Sequence, residues 1–218
     1  MRAASNLILW AILHGGAPGI NIASTEATKV DPAVVQVFSP TSRGTGFFIE
    51  GGGHKYLVTA AHVCGSFPFL ISAKGVHNVL AVRPTQDVCV LSTYQNVKTL
   101  KLGEDTNPGE KVSMTGFPLD FIYNYQEGIT DEVGYGVYKL PKDYYGPGCP
   151  TGSLEDKTDC GIFVTNTRLK ILARGGNSGG PVVNATGDVV GILIGSDSAG
   201  NGYMVPVSEL VKVLTGTP

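Results

Sequence analysis

The sequence predicts an all-β protein, with two barrel-sized sets of short strands and one short helix at the C-terminus. Three observations carry this. The 218 residues include 30 Gly and 13 Pro, short apolar runs are separated by turn residues, and long amphipathic helices are missing. Gly supplies the positive φ that tight turns demand, so this composition belongs with many strands and many turns. The length suits one large domain or two small ones sharing a core. Apolar residues make up 42% and charged residues 16%, against roughly 25% charged in an average soluble domain, which excludes a disordered polyelectrolyte. Lys plus Arg (16) against Asp plus Glu (18) leaves a net charge of -2. No cationic surplus exists to neutralise a phosphate backbone, so no nucleic-acid partner is expected.

Met1-Arg2 precedes an apolar run ending in Leu7-Ile8-Leu9-Trp10-Ala11-Ile12-Leu13. That length suits the apolar region of a signal peptide and is too short to span a bilayer, so stable membrane insertion is not expected. Residues 1–24 are read as a leader, which implies a secreted or periplasmic protein. An amphipathic arm or an untrimmed leader is the alternative. A first strand set follows within 25–105, at Val34 to Phe38, Gly46 to Ile49, Tyr56 to Ala60, Val79 to Val82 and Val88 to Leu91. Asn107-Pro108-Gly109 is a turn near the boundary. A second set follows within 106–218, at Lys111 to Gly116, Gly134 to Leu140, Gly161 to Thr165, Pro181 to Val183, Val189 to Ile194 and Tyr203 to Val205. Asn184 to Asp188 reads as a hairpin connection. The helix is expected from Ser208, as cap, to Leu214, with Leu210, Val211 and Leu214 on its apolar face.

Four cysteines allow three pairings. Cys149 and Cys160 flank a loop rich in Gly, Pro, Ser and Asp, while Cys64 and Cys89 lie close to the residues that carry chemistry. Bridges there require an oxidising compartment; four free thiols of a cytosolic chain are the alternative. No Cys-x-x-Cys and no His cluster is present, so no metal is expected.

Three segments carry the chemistry. Leu57-Val58-Thr59-Ala60-Ala61-His62 places an imidazole at a strand end among small residues. Asp87-Val88-Cys89-Val90-Leu91 opens a buried strand with an acid. Arg174-Gly175-Gly176-Asn177-Ser178-Gly179-Gly180-Pro181 surrounds a Ser with glycines. Ser is a weak nucleophile that needs a base, the base needs an orienting acid, and glycines let N–H groups converge on an oxyanion. Taken singly, each has an ordinary explanation: a core His, a capping Asp, a Gly loop. Their joint occurrence in the order His62, Asp87, Ser178 favours a catalytic triad. His54 and His77, in turns, and His14, in the leader, are poorer bases. Gly176 to Gly180 also fits the nucleophile elbow of α/β-hydrolases, but there the acid and His follow the Ser, and here every His precedes it.

Through these segments the sequence resembles the trypsin-like serine peptidases. It is most similar to the HtrA/Deg branch, because Gly44-Thr45-Gly46-Phe47 precedes the His segment and Gly202-Tyr203-Met204-Val205-Pro206-Val207 precedes a short helix. The resemblance covers about residues 30 to 214. It implies two six-stranded antiparallel β-barrels packed together, and a serine endopeptidase acting on polypeptide substrates without a cofactor. His62 is then the base, Asp87 its orienter, Ser178 the nucleophile, and Gly176 and Ser178 N–H the oxyanion hole, with Asn177 turning the loop. The strand through Ile194, Gly195 and Ser196 is expected to pair with substrate. The primary pocket's base, six residues before the nucleophile, is Leu172, which implies cleavage after small or medium aliphatic residues. Asp197, if its loop folds inward, would instead receive a cation. The expectation is a protease domain without the PDZ domain usual in HtrA proteins and without trypsinogen-style activation. The rival is a silent or partner-activated barrel that binds peptides, distinguishable by a fluorophosphonate probe.

Overall fold

The computed structural model describes residues 30–93, 96–119, 123–141, 149, 154–155 and 159–216. The expected leader and His14 lie outside them. Six strands close the first barrel: β1 (Val34–Phe38), β2 (Arg43–Gly51), β3 (His54–Ala60), β4 (Phe69–Ser72), β5 (Gly75–Arg83) and β6 (Val88–Ser92). They run antiparallel in the order β1-β2-β3-β6-β5-β4, and β4 returns to β1 through Val37 opposite Ser72 and Phe38 opposite Ile71. A helical turn, α1 (Ala61–Cys64), follows β3.

The second barrel comprises β7 (Lys111–Gly116), β8 (Asn124–Pro141), β10 (Asp159–Leu172), β11 (Pro181–Asn184), β12 (Val189–Ser196) and β13 (Asn201–Pro206), with β9 (Leu154–Glu155) appended to β10. Its order is β13-β12-β11-β7-β8-β10, closed where Thr167 and Arg168 of β10 pair with Met204 and Tyr203 of β13. The fold is the double barrel expected. Its interior follows the period-2 rule of strands: along β7, Val112, Met114 and Gly116 are buried while Lys111 is exposed. Val112, Met114, Leu169, Ile171, Val182, Val190, Leu193 and Met204 form one core. The other runs through the first barrel from Val37, Phe47 and Leu57 to Ile192 and Ile194, so it crosses the seam. A Leu, Ile or Phe buried this completely is worth about 1.5–3 kcal/mol.

The terminal helix, α2 (Val207–Thr215), buries Val207, Leu210 and Val213, whereas Val211 points outward at 40% exposure. The expected apolar face is therefore rotated: spacing i, i+3, i+6 wins, with Leu214 partly buried beside it. Ser208 does not cap it. The first turn is satisfied from elsewhere in the chain, by Asp105 Oδ1, which accepts the Ser208 N–H at 2.9 Å. Both expected disulfides are present, Cys64–Cys89 and Cys149–Cys160.

Candidate active site

Strand pairing brings His62 and Asp87 together. β3 and β6 are antiparallel neighbours with Thr59 opposite Cys89 and Ala60 opposite Val88, so the end of one strand meets the start of the other. Ala61 N–H donates to Asp87 O at 3.1 Å, and Cys64–Cys89 then staples the turn after His62 to the strand after Asp87. Asp87 follows a 3-10 turn (Pro84–Gln86) and adopts φ 52° and ψ 41°, a left-handed conformation that Asp tolerates better than most residues. That twist carries its carboxylate back toward His62. Asp87 is fully buried. Its Oδ1 accepts the His62 backbone N–H at 2.9 Å, and Oδ2 lies 2.8 Å from His62 Nδ1. A carboxylate can only accept, so Nδ1 carries the hydrogen and Nε2 is the basic nitrogen.

Ser178 lies between β10 and β11, in the second barrel, half-buried. Its loop is tied to β12 by Gly179 N–H to Leu193 O at 2.7 Å and Leu193 N–H to Gly180 O at 2.9 Å, and Ser178 Oγ reaches Ile194 O at 3.4 Å. Across the seam, Thr45 N–H donates to Ser178 O at 2.8 Å. Gly176 has φ +93° and Asn177 N–H donates to Arg174 O at 3.0 Å. A positive φ at the third turn position with that bond makes a type II turn. So Gly176 turns the loop. Asn177 is instead fully buried against Met114, its Oδ1 without a hydrogen-bond partner among the described residues.

Every carbonyl from Arg174 to Ser178 accepts a hydrogen bond: from Asn177 N (3.0 Å), Leu119 N (2.9 Å), Thr45 Oγ1 (2.8 Å), Gly180 N (2.9 Å) and Thr45 N (2.8 Å) in turn. The N–H groups of Asn177, Gly179 and Gly180 also have acceptors. Those of Gly176 and Ser178 have none among the described residues. Two fixed N–H groups without acceptors, on either side of one residue, are what an oxyanion hole requires.

β11 pairs with β12 only up to Ile192, so Ile194, Gly195 and Ser196 continue past it beside the Ser178 loop. Leu172 ends β10, 47% exposed, and a Cβ on Gly200 would stand 2.7 Å from its Cδ1. Asp197 does not fold inward. Its carboxylate accepts Ala199 N–H, Asn201 N–H and Asn201 Nδ2, each at 2.9 Å, and pairs with Arg168 at 3.8 Å. The Asn201 side chain above all holds its pKa below the ordinary carboxylate value. Among the described residues, no group of His, Cys, Asp and Glu could hold a metal. Of the other histidines, His54 is exposed at the start of β3. His77 is not in a turn; it is buried in β5, between Ser72 Oγ at 2.9 Å and Ser92 O at 3.0 Å.

Sequence reasoning missed Thr45, Phe117 and Leu119 as parts of the site. The only signal was the small-residue setting of Thr45 between Gly44 and Gly46.

The pattern of the trypsin-like peptidase domain matches residues 44–192. A probable periplasmic serine endoprotease, DegP-like, from Halomonas elongata is 32% identical over 171 residues, 75% of this chain and 31% of the relative. The mitochondrial serine protease HTRA2 of Bos taurus is 30% identical over 217 residues, 89% of this chain and 43% of the relative. The chain thus spans less than half the length of these relatives. A protease from M. tuberculosis in its active form superimposes with a TM-score of 0.64 at 21% identity, covering 84% of this chain and 80% of that one. The HtrA-type protease AlgW with tripeptide gives 0.63 at 21%, covering 84% and 59%.

Proposed function

The chain belongs to the trypsin-like peptidase domain family, and from that membership we propose that it is a serine endopeptidase working through His62, Asp87 and Ser178. The observation that carries the reading is the pair of acceptor-free N–H groups at Gly176 and Ser178, in a loop whose carbonyls are all engaged elsewhere. His62 Nε2 takes the Ser178 proton as Oγ attacks the scissile carbonyl, and the oxyanion forms against the two N–H groups. Asp87 holds the tautomer and stabilises the imidazolium. His62 then passes the proton to the leaving amine, and water, activated by the same imidazole, hydrolyses the acyl-enzyme. No cofactor takes part in these steps.

Substrate backbone pairs along Ile194 to Ser196, and Leu172 makes the primary pocket apolar. Burying an unpaired ammonium or guanidinium there costs several kcal/mol, and the Asp197 carboxylate is already occupied by its own loop, so cleavage follows small or medium aliphatic residues. Two disulfides and relatives named periplasmic support an oxidising, secreted or periplasmic location. No helix among the described residues is long and apolar enough to cross a membrane.

The test is fluorophosphonate labelling with peptide kinetics. Ser178 should be labelled, and Ser178→Ala and His62→Ala should each lower turnover by about six orders of magnitude, with the double variant little worse. Absence of labelling under any condition would instead favour a peptide-binding barrel.

A further inference from the structure

Thr45 sits in β2, in the first barrel, with no exposed surface. Its backbone N–H holds Ser178 O, and its carbonyl accepts the Thr59 hydroxyl at 2.6 Å. Its side chain does something separate. Thr45 Oγ1 lies 2.9 Å from Phe117 N and 2.8 Å from Gly176 O. Phe117 N–H can only donate, so it takes a lone pair of the hydroxyl, and the single hydroxyl proton is committed to Gly176 O. The direction of the bond follows from chemistry alone.

That bond joins residues 131 apart in sequence and crosses from the first barrel to the second. It pins the peptide between Gly176 and Asn177, whose N–H is in turn held by Arg174 O. Both ends of this peptide are held, and it adjoins the Gly175–Gly176 peptide, which carries the Gly176 N–H, on one side and the Asn177–Ser178 peptide, which carries the Ser178 N–H, on the other. We propose that Thr45 is a positioning residue for the oxyanion hole, its hydroxyl holding the Gly176 carbonyl so that the Gly176 and Ser178 N–H groups converge. The proposal rests on the serine-peptidase reading, and Thr45 itself touches no reacting atom. The packing leaves little room for substitutes: a Cβ on Gly116 would stand 3.0 Å from Thr45 Oγ1, and one on Gly180 3.3 Å from Thr45 Cγ2.

Three variants of the full chain separate the hydroxyl from the shape. Thr45→Val keeps the shape and loses both the donor to Gly176 O and the acceptor of the Phe117 N–H, Thr45→Ser keeps both, and Thr45→Cys offers weak versions of both. For each, kcat, KM, melting temperature and affinity for a peptide aldehyde are measured beside wild type and Ser178→Ala. Because the bond supports a donor worth about 10²–10³ in kcat, Thr45→Val should lose up to about 10²-fold in kcat with KM nearly unchanged. The aldehyde, whose adduct carries the oxyanion, should lose affinity in parallel. Thr45→Ser should recover most of both, with Thr45→Cys between. Wild-type kcat in Thr45→Val would overturn the proposal. So would losses that rank with melting temperature and not with donor strength, which is also the reading if Thr45→Val fails to fold and Thr45→Cys equals Thr45→Ser. Ser178→Ala reports on the parent reading separately: if it retains wild-type turnover, the triad assignment fails, whatever Thr45 does.

Discussion

Replacing Gly176 by Ala probes the Ser178 loop at one of its two proposed oxyanion donors. A Cβ there would stand 2.5 Å from Phe117 O and 2.9 Å from both Leu119 N and the carbonyl carbon of Pro118. All three are backbone atoms of the connection after β7, and none can swing away as a side-chain tip would. The φ of +93° adds a further 1–2 kcal/mol or so for a residue with a Cβ. The least costly relief is rotation of the Gly175–Gly176 peptide, which breaks the 2.9 Å bond from Leu119 N–H to Gly175 O and withdraws one of the two proposed oxyanion donors. Loss of such a donor lowers kcat by about 10²–10³, or about 2.7–4 kcal/mol.

Gly175 is the control. It is exposed, its φ is not positive, and its Cβ would meet only the tip of Leu119, 3.2 Å from Cδ1. Kinetics on a fluorogenic peptide, with melting temperatures alongside, should show Gly176→Ala losing kcat at nearly constant KM. Its melting temperature should fall by about 2–4 °C per kcal/mol of residual strain. Gly175→Ala should stay within a few-fold of wild type. Equal damage in the two variants, or a Gly176→Ala enzyme within about threefold of wild type, would refute the reasoning.

Asp87→Asn replaces an acceptor of two bonds by an amide that cannot serve both His62 nitrogens in the productive tautomer, so kcat should fall by about 10⁴ while circular dichroism stays native; a loss under about tenfold contradicts the tautomer argument. The chain-entropy relation assigns about 3.5 kcal/mol to Cys64–Cys89 and about 2.8 to Cys149–Cys160. Removing either pair should lower the melting temperature, but only the first, which joins the turn of His62 to the strand of Asp87, should also lower kcat. Burial lowers the pKa of His77 below its ordinary 6.5, the bond to Ser92 O opposing. The unfolded chain therefore binds the extra proton first, so His77 costs no stability above pH 6.5 and an increasing amount below it, down to its folded pKa. His77→Gln should flatten the melting-temperature profile between about pH 5 and 7, and an unchanged slope there would exclude His77 as its source. A peptide-library profile should show cutting after aliphatic residues, unchanged in Asp197→Ala; cutting after Arg or Lys that the substitution abolishes would place the specificity at Asp197.

The parts of the molecule readable from sequence are those whose signal is local. His62 after an apolar strand, Asp87 before one and Ser178 among glycines each announce themselves within a few residues. β4 leaves no strand signal in the sequence because Phe69 and Ile71 are 37% and 48% exposed while Leu70 between them is buried, so apolar residues occupy both faces and the alternation disappears. The first half of β8 is polar along its open face and gave no apolar run. The polar neighbours of His77 in sequence suggest a turn, because Ser72 and Ser92, which satisfy its ring, are contributed by two other strands.

The Ser178 loop is the least readable part for a different reason. Its supports are Leu119 N–H and Thr45 N–H, which any residue but Pro could supply, together with one buried hydroxyl. A backbone donor leaves no mark on residue identity, so nothing in the sequence reports what holds Gly175 O or Ser178 O in place. His62 and Asp87 belong to the first barrel, Ser178 and Gly176 to the second, and the proposed nucleophile meets its proposed base only if the seam between them is set. Thr45 lies on that seam, bonded to Gly176, Ser178, Phe117 and Thr59 at once. The chemistry of the proposed triad thus resides in residue types, whereas its alignment resides in the register of β2 against the Ser178 loop.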